Sequence, residues 1–441
     1  MSMPAQDDYW RWKSWVASAN DPASGFPLQS LPYCSFLSSQ DGNAHLGVGI
    51  GSFLLDLSKL GQVGLLHSLN AETQSACAAP QLNSLMRCGP AAWSTLRQLL
   101  IKLLKEDASS KHQSKIEPLL IPTKDLQFFK PIVVGNYTDF YASIHHATNV
   151  GRLFRPDQPL LPNYKWLPIG YHGRASSLVI GGGIRRPHGQ IRLTGQESPA
   201  FGPTKQLDYE LEVAAYIGTG NSLGEPIPIA KAAQHIFGLS LLNDWSARDI
   251  QSWEYQPLGP FLGKSFATSI SPWVVPTEAL SAFRVPSSIR PSGDPEPLSY
   301  LSNAASEDAG GIDLTLEVFL STARMRETSL APVRLSEGNL CNLYWTFPQM
   351  IAHHTSNGCN LIEGDVIASG TVSGPHPGSE GCLLEITRRG ASPIQLPNGE
   401  TRAFLEDADE IILNGFCERE GFPRVSLGEC RGTVLPAHGA S

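Results

Sequence analysis

From about residue 131 the chain is cut into short strand-like runs by Gly and Pro, and this punctuation limits the fold more than any other feature. SSLVIGGGIRRPHGQIRL (176–193) and LIEGDVIASGTVSGP (361–375) are typical of it. The whole chain holds 41 Gly and 34 Pro in 441 residues, more than a helix-rich protein carries. Gly permits positive φ, and Pro fixes φ while removing a ladder donor, so both suit strands joined by turns. The expected fold is mainly β, a β-rich α+β arrangement.

Residues 1–130 read differently. Short apolar runs such as HLGVGIGSFLLDL (45–57) precede AAWSTLRQLLIKLLKE (91–106), where Leu96, Leu99, Leu100, Leu103 and Leu104 recur at helical spacing. The polar segment 107–118 is expected as a loop, so this region reads as a small strand-rich domain ending in a helix. Further helices are expected over 227–242 and around 342–355. The Pro-, Ser- and Gly-rich stretch 284–312 is expected to form a surface excursion. The expected domains are therefore 1–130 and 131–441.

A formal net charge of −8 argues against nucleic acid or anionic lipid as partners. The polar, acidic start MSMPAQDDYWRWKSW is unlike a signal peptide, and no run approaches the roughly 20 apolar residues of a membrane span. Eight scattered cysteines with no C-x-x-C read as reduced thiols, and the expected compartment is the cytoplasm.

Three segments hold candidate chemistry. In LDYELEVAAYIG (207–218), Leu207, Tyr209, Leu211, Val213, Ala215 and Ile217 share one strand face, so Glu210 and Glu212 project from the other. Carboxylates at i and i+2 stand roughly 7 Å apart and can grip one divalent cation. Two acids are equally what a solvated strand face carries. In NDWSARDIQSWEYQPLGPFLGKSF (243–266), Asp244 follows an apolar run, and Arg248, Gln251 and Tyr255 fall on one helical face. A guanidinium, an amide and a phenol suit the carboxylate and carbonyl groups of a small acid, although an ordinary exposed helix fits the same pattern. GPFLGKS (259–265) is one residue too short between its glycines for a phosphate loop, and Lys264 is better read as a cation near an acidic ligand. In GNYTDFYASIHHATNVGRLFR (135–155), Asp139 lies between aromatics and His146 is a candidate base. H-E-x-x-H and clustered Cys/His sets are absent.

Together these strings resemble the fumarylacetoacetate hydrolase family. The resemblance runs through YTDFYAS and HHATNVG (137–151), LPIGYHGRASS (167–177), LDYELE, the 243–266 segment, SPWVVP (271–276), HHTSNGCNLIEGDVIASGTVSGP (353–375) and LLE (383–385). It covers most of 131–385, while the N-terminal part matches in general character. The resemblance implies an SH3-like β-barrel followed by a mixed β-roll or β-sandwich catalytic domain, assembled as a homodimer. It implies one divalent cation, Ca2+ or Mg2+, on Asp139, Glu210, Glu212 and Asp244, with Lys264 and Thr268 close by. His146 corresponds to the family's base and Glu385 to its acidic partner, while Lys264, Arg248 and Gln251 stabilise oxyanions. Tyr141, Arg155, Tyr171, Arg248, Gln251, Tyr255 and Thr371 correspond to groups on a small diketo acid. The implied reaction is hydrolysis of a carbon–carbon bond, 4-fumarylacetoacetate to fumarate and acetoacetate, at the end of tyrosine and phenylalanine catabolism. Hydratases, decarboxylases and acylpyruvate hydrolases of the wider family share the carboxylates. They are typically shorter and lack the N-terminal barrel, so length and SARDIQSWEY favour the fumarylacetoacetate-cleaving branch.

Overall fold

A computed structural model describes residues 9–192 and 197–439, with the backbone alone at 305–307. Residues 1–8, and Leu193 at the end of the 176–193 run, lie outside the described residues. The chain is mainly β, as expected.

The N-terminal part builds a five-stranded antiparallel sheet in the order Leu120–Pro122, Phe53–Asp56, Ala44–Ile50, Tyr33–Leu37, Gln127–Phe129. Its two outermost strands are joined by one 3-10 turn, Thr123–Asp125. Laid flat, five strands would hold those edges about 19 Å apart, at about 4.8 Å per step. A tightened connection from 122 to 127 spans less than that, so the sheet must curl as a small barrel does. It is joined to the rest of the chain by a bridge, Tyr33 and Val274 exchanging both backbone bonds at 2.8 Å.

Two expectations fail here. Ser110–Ile116 is a helix, not a loop: the Ser109 side chain accepts from the His112 amide, and Ile116 is the one residue it buries. A helix anchored by a single apolar residue shows no periodicity. Nor does the region end in a helix. After the predicted helix, found at Pro90–Leu104, the chain returns to the sheet through 120–122 and 127–129.

The larger part contains two mixed sheets. One runs in the order Gly170–Gly173, Tyr137–Phe140, Val366–Ala368, Leu211–Ile217, Ile236–Asp244, Thr268–Ile270, Leu178–Ile180. The other runs Val333–Asn339, Thr315–Ser321, Glu410–Cys417, Val425–Leu435, Gly183–Arg185. They pack face to face: Gly432 lies under the Trp245 indole and leaves no room there for a Cβ.

The helix expected over 227–242 is the largest error. Only Ile229–Ala232 and a 3-10 turn are helical, and Ile236–Asp244 is a strand with every residue buried. It lies between Leu211–Ile217 and Thr268–Ile270, so it shows solvent no polar face, and its apolar run carries no period of two. The helix near 342–355 begins at Phe347, with Pro348 in its first turn. Of the excursion expected over 284–312, residues 286–300 are largely exposed, whereas its ends, Arg284–Val285 and Gly311–Ile312, pair as strands and Leu301 and Ile312 are buried.

Candidate active site

Register brings the acids together. Asp139 sits in the strand Tyr137–Phe140, opposite Ala368 on one side and Tyr171 on the other. Glu212 faces Leu242, and Asp244 faces Thr268. Oxygens of Asp139, Glu210, Glu212 and Asp244 lie within 4.8 Å of one another, and all four residues are buried. The expected 207–218 strand is broken into Leu207–Asp208 and Leu211–Ile217 with Glu210 between them, and its acidic side is interior, not solvated.

Two cations and two hydroxyls partly balance this charge. Lys264 Nζ donates to Glu210 and, at 2.6 Å, to Asp244. Arg248 Nη1 donates to Glu210 at 2.6 Å and Nε to Asp208 at 2.9 Å. Thr268 Oγ1 and the Tyr171 hydroxyl donate to Asp244 at 2.8 and 3.1 Å. Asp139 Oδ1 and both carboxylate oxygens of Glu212 have no hydrogen-bond partner among the described residues. The consequences differ by residue. Burial pushes Glu210 up, but Lys264 and Arg248 bring it down to about 2. Burial, then Asp139 and Asp244, holds Glu212 well above the ordinary carboxylate range. Burial, then Asp244, does the same to Asp139. Burial also raises Asp244, against the pull of Lys264. Counting Asp208, five buried carboxylates face two cationic side chains, and three buried oxygens lack a donor. An all-oxygen set with a surplus of negative charge fits a hard divalent cation.

The base lies on the adjoining wall. The Ser143 side chain caps the helix Ile144–Phe154 by accepting from the His146 amide. His146 Nδ1 lies 2.6 Å from Glu385 Oε2. Because an ionised carboxylate only accepts, Nδ1 carries the proton and Nε2 is left free. Glu385 also receives Asn149 Nδ2 at 2.9 Å and Ser373 Oγ at 2.8 Å. Burial raises it, but His146 and these donors bring it down to about 2.

One cavity of about 510 Å³ opens onto the site and is lined by Asp139, His146, Glu210, Glu212 and Lys264. Of the remaining expected residues, Tyr141, Arg155, Tyr171, Arg248, Gln251, Tyr255 and Thr371 also line it. Asp244 and Thr268 are absent from the lining and stand behind the wall, joined to it through Lys264 and Tyr171. The helix Arg248–Glu254, with Tyr255 at its C-terminal cap, places Arg248, Gln251 and Tyr255 on the cavity as the spacing predicted. Gln251 Oε1 accepts from Arg248 at 3.2 Å, so its amide nitrogen remains a donor, and Arg248 Nη2 is buried without a partner. Glu385 is absent from the lining and meets the cavity through His146.

Two models match the chain, fumarylacetoacetase N-terminal over residues 29–131 and fumarylacetoacetate (FAA) hydrolase C-terminal over 136–435. The fumarylacetoacetase of Bos taurus is 46% identical over 96% of this chain and 99% of its own length. The chain belongs to the fumarylacetoacetate hydrolase family. Family members from Homo sapiens and Arabidopsis thaliana, both fumarylacetoacetases, are 45% and 44% identical, each over 96% of this chain and 99% of their own lengths.

In this member of the family, Asp208 was missed by sequence reasoning. Its carboxylate accepts from the amides of Leu383 and Leu384 at 2.9 and 3.0 Å as well as from Arg248. It thereby ties the short helix that carries Glu385 to the cavity arginine. The signal was present, since Asp208 continues the two-residue step of Glu210 and Glu212. Asn149 and Ser373 gave none.

Proposed function

We propose that the chain hydrolyses the carbon–carbon bond of 4-fumarylacetoacetate to fumarate and acetoacetate, the terminal step of tyrosine and phenylalanine breakdown. The observation that carries this reading is that the carboxylate cluster and the free edge of the His146–Glu385 pair adjoin one cavity. The naming of relatives that match almost end to end as fumarylacetoacetases supports the same substrate. Asp139, Glu210, Glu212 and Asp244 hold one divalent cation, Ca2+ or Mg2+, and their hard oxygen donors suit either. When bound, that ion supplies Lewis-acid polarisation and counter-charge. His146 Nε2 takes a proton from the water that attacks the keto carbon, and Glu385 holds the imidazolium that results. As the carbon–carbon bond breaks, its electron pair leaves on the departing carbon, which takes the proton back from His146. Arg248 Nη2 and the Gln251 amide are the free donors for the oxyanion, and Lys264, with Arg248, keeps Glu210 ionised and donates to Asp244 beside it. Tyr141, Arg155, Tyr171, Tyr255 and Thr371 contact the small diketo acid. Thr268 orients Asp244 through its hydroxyl.

The working form is a cytoplasmic homodimer of two-domain subunits, with domains 1–130 and 131–441. Among the described residues, no helix is long and apolar enough to cross a membrane. The direct test is the loss of diketone ultraviolet absorbance on adding purified protein, with and without chelator. Turnover that is abolished by chelator and restored by Ca2+ or Mg2+ is expected. Turnover indifferent to chelator overturns the reading.

A further inference from the structure

The cationic groups on the cavity wall fall into two classes. Arg248 and Lys264 lie deep, Arg248 charge-paired to Asp208 and Glu210 and Lys264 to Glu210 and Asp244. Arg155 and Arg389 lie at the exposed edge of the same cavity, and neither has an acidic partner among the described residues. An anion entering from solvent therefore meets its uncompensated positive charge at the rim and not at the centre.

Arg389 is fixed there by its backbone. It follows the short helix Leu383–Ile386 in a turn where Arg388, Arg389 and Gly390 all have positive φ, at 49, 61 and 83°. The Arg388 and Arg389 amides donate to the carbonyls of Glu385 and Leu384 at 3.1 and 2.8 Å. The turn is thus an extension of the element that carries the partner of His146. From it the Arg389 guanidinium lies over the Phe154 ring, 4.9 Å from the centroid. Phe154 ends the helix that carries His146, and Arg155 follows it directly. A left-handed position disfavours a side chain that glycine would spare, and here a long cationic one is aimed at the cavity edge.

We infer that Arg389 is a substrate-binding residue that completes, with Arg155, a cationic rim for the terminal carboxylate of the diketo acid remote from the carboxylate cluster. This rests on the functional reading above. A dianionic substrate has one acid group left over once its diketone faces the cluster, and the rim supplies two planar donors with no other charge to satisfy. Specificity for a diacid over a monoacid follows.

The test uses the full chain with its divalent cation. Arg389→Asn is the variant of choice, because Asn tolerates left-handed backbone; Arg389→Lys keeps the charge but loses the fork. For Arg389→Asn the expected result is a KM for the dianionic substrate raised about tenfold with kcat within about twofold, from the loss of one charge-assisted contact. Two monoanionic analogues, each lacking one terminal carboxylate, separate the ends: one should lose its sensitivity to the substitution and the other keep it. Arg389→Lys should fall between. An unchanged KM for the dianion, or equal losses on both analogues, overturns the assignment. Wild-type protein that cleaves no diketo acid overturns the functional reading instead, and calorimetric titration with fumarate then reads the rim alone. Binding weakened about tenfold by Arg389→Asn supports the assignment; equal binding refutes it.

Discussion

Replacing Glu212 with Gln should stabilise the metal-free protein while abolishing its response to metal, two effects of opposite sign from one substitution. Both Glu212 oxygens are buried and lack a donor, and burial with Asp139 and Asp244 raises its pKa well above the ordinary carboxylate range. A buried polar group without a partner costs about 1–3 kcal/mol, and the Gln amide can donate to the equally unpartnered Asp139 Oδ1. For 441 residues unfolding as one unit, about 2.1 cal/mol/K per residue gives about 0.9 kcal/mol/K, so metal-free Glu212→Gln should melt about 1–3 °C above metal-free wild type. Wild type held at a hundredfold excess of cation over Kd should gain about 2.7 kcal/mol, again about 3 °C, and the variant close to nothing. The pH dependence carries the same sign. A carboxylic acid whose folded pKa is raised favours the fold when protonated, so metal-free wild type loses stability as pH rises above about 4.5 toward that raised value. The variant should lose less. Scanning calorimetry from pH 5 to 8, in chelator and in Ca2+ or Mg2+, measures all of this. A metal-free variant destabilised by several kcal/mol would refute the reasoning, since that is the behaviour of a satisfied structural ion pair.

His146→Ala should lower kcat by about 10²–10⁴ while calorimetry still detects cation binding, because the imidazole bonds to Glu385 and not to the four cluster carboxylates. Glu385→Gln should cost about 3 kcal/mol of stability at neutral pH; since the Glu385 pKa is lowered from 4.5 to about 2, the deficit should persist above 4.5 and close as pH falls toward 2, as read by urea unfolding. Arg248→Ala should destabilise by about 3–5 kcal/mol, leaving Asp208 and Glu210 without their guanidinium, and adding Asp208→Asn should recover part of the loss in the same assay. Gly151→Ala would drive a Cβ into the carbonyl oxygen of Pro159, so melting temperature should fall and KM rise as the Arg155 turn is displaced.

What the sequence disclosed depended on whether a residue's partner lies near it in the chain. Glu210 and Glu212 were legible because two-residue alternation is local, and Arg248, Gln251 and Tyr255 because helical spacing is local. The joining of Asp139 and Asp244 to that pair depends on sheet register, and was expected only through resemblance. Ile236–Asp244 was misread because a strand covered on both faces has no polar alternation, and its apolar run passes equally well for a helix. Asp208 escaped notice because the amides it binds are 175 and 176 residues away. The helix Ser110–Ile116 is set by a cap and one buried side chain, which pattern reading passes over.

The hydrogen bond between His146 and Glu385 joins residues 239 positions apart. At a ribosomal rate of about 5–20 residues per second, the imidazole is made about 10–50 s before the carboxylate that will orient it. Asp139 is made before that interval and the acids at 210, 212 and 244 within it, so a nascent chain can own its ion-binding groups while still lacking a competent base. Chains cut short before residue 385 should accumulate as inert products and not as poorly controlled hydrolases.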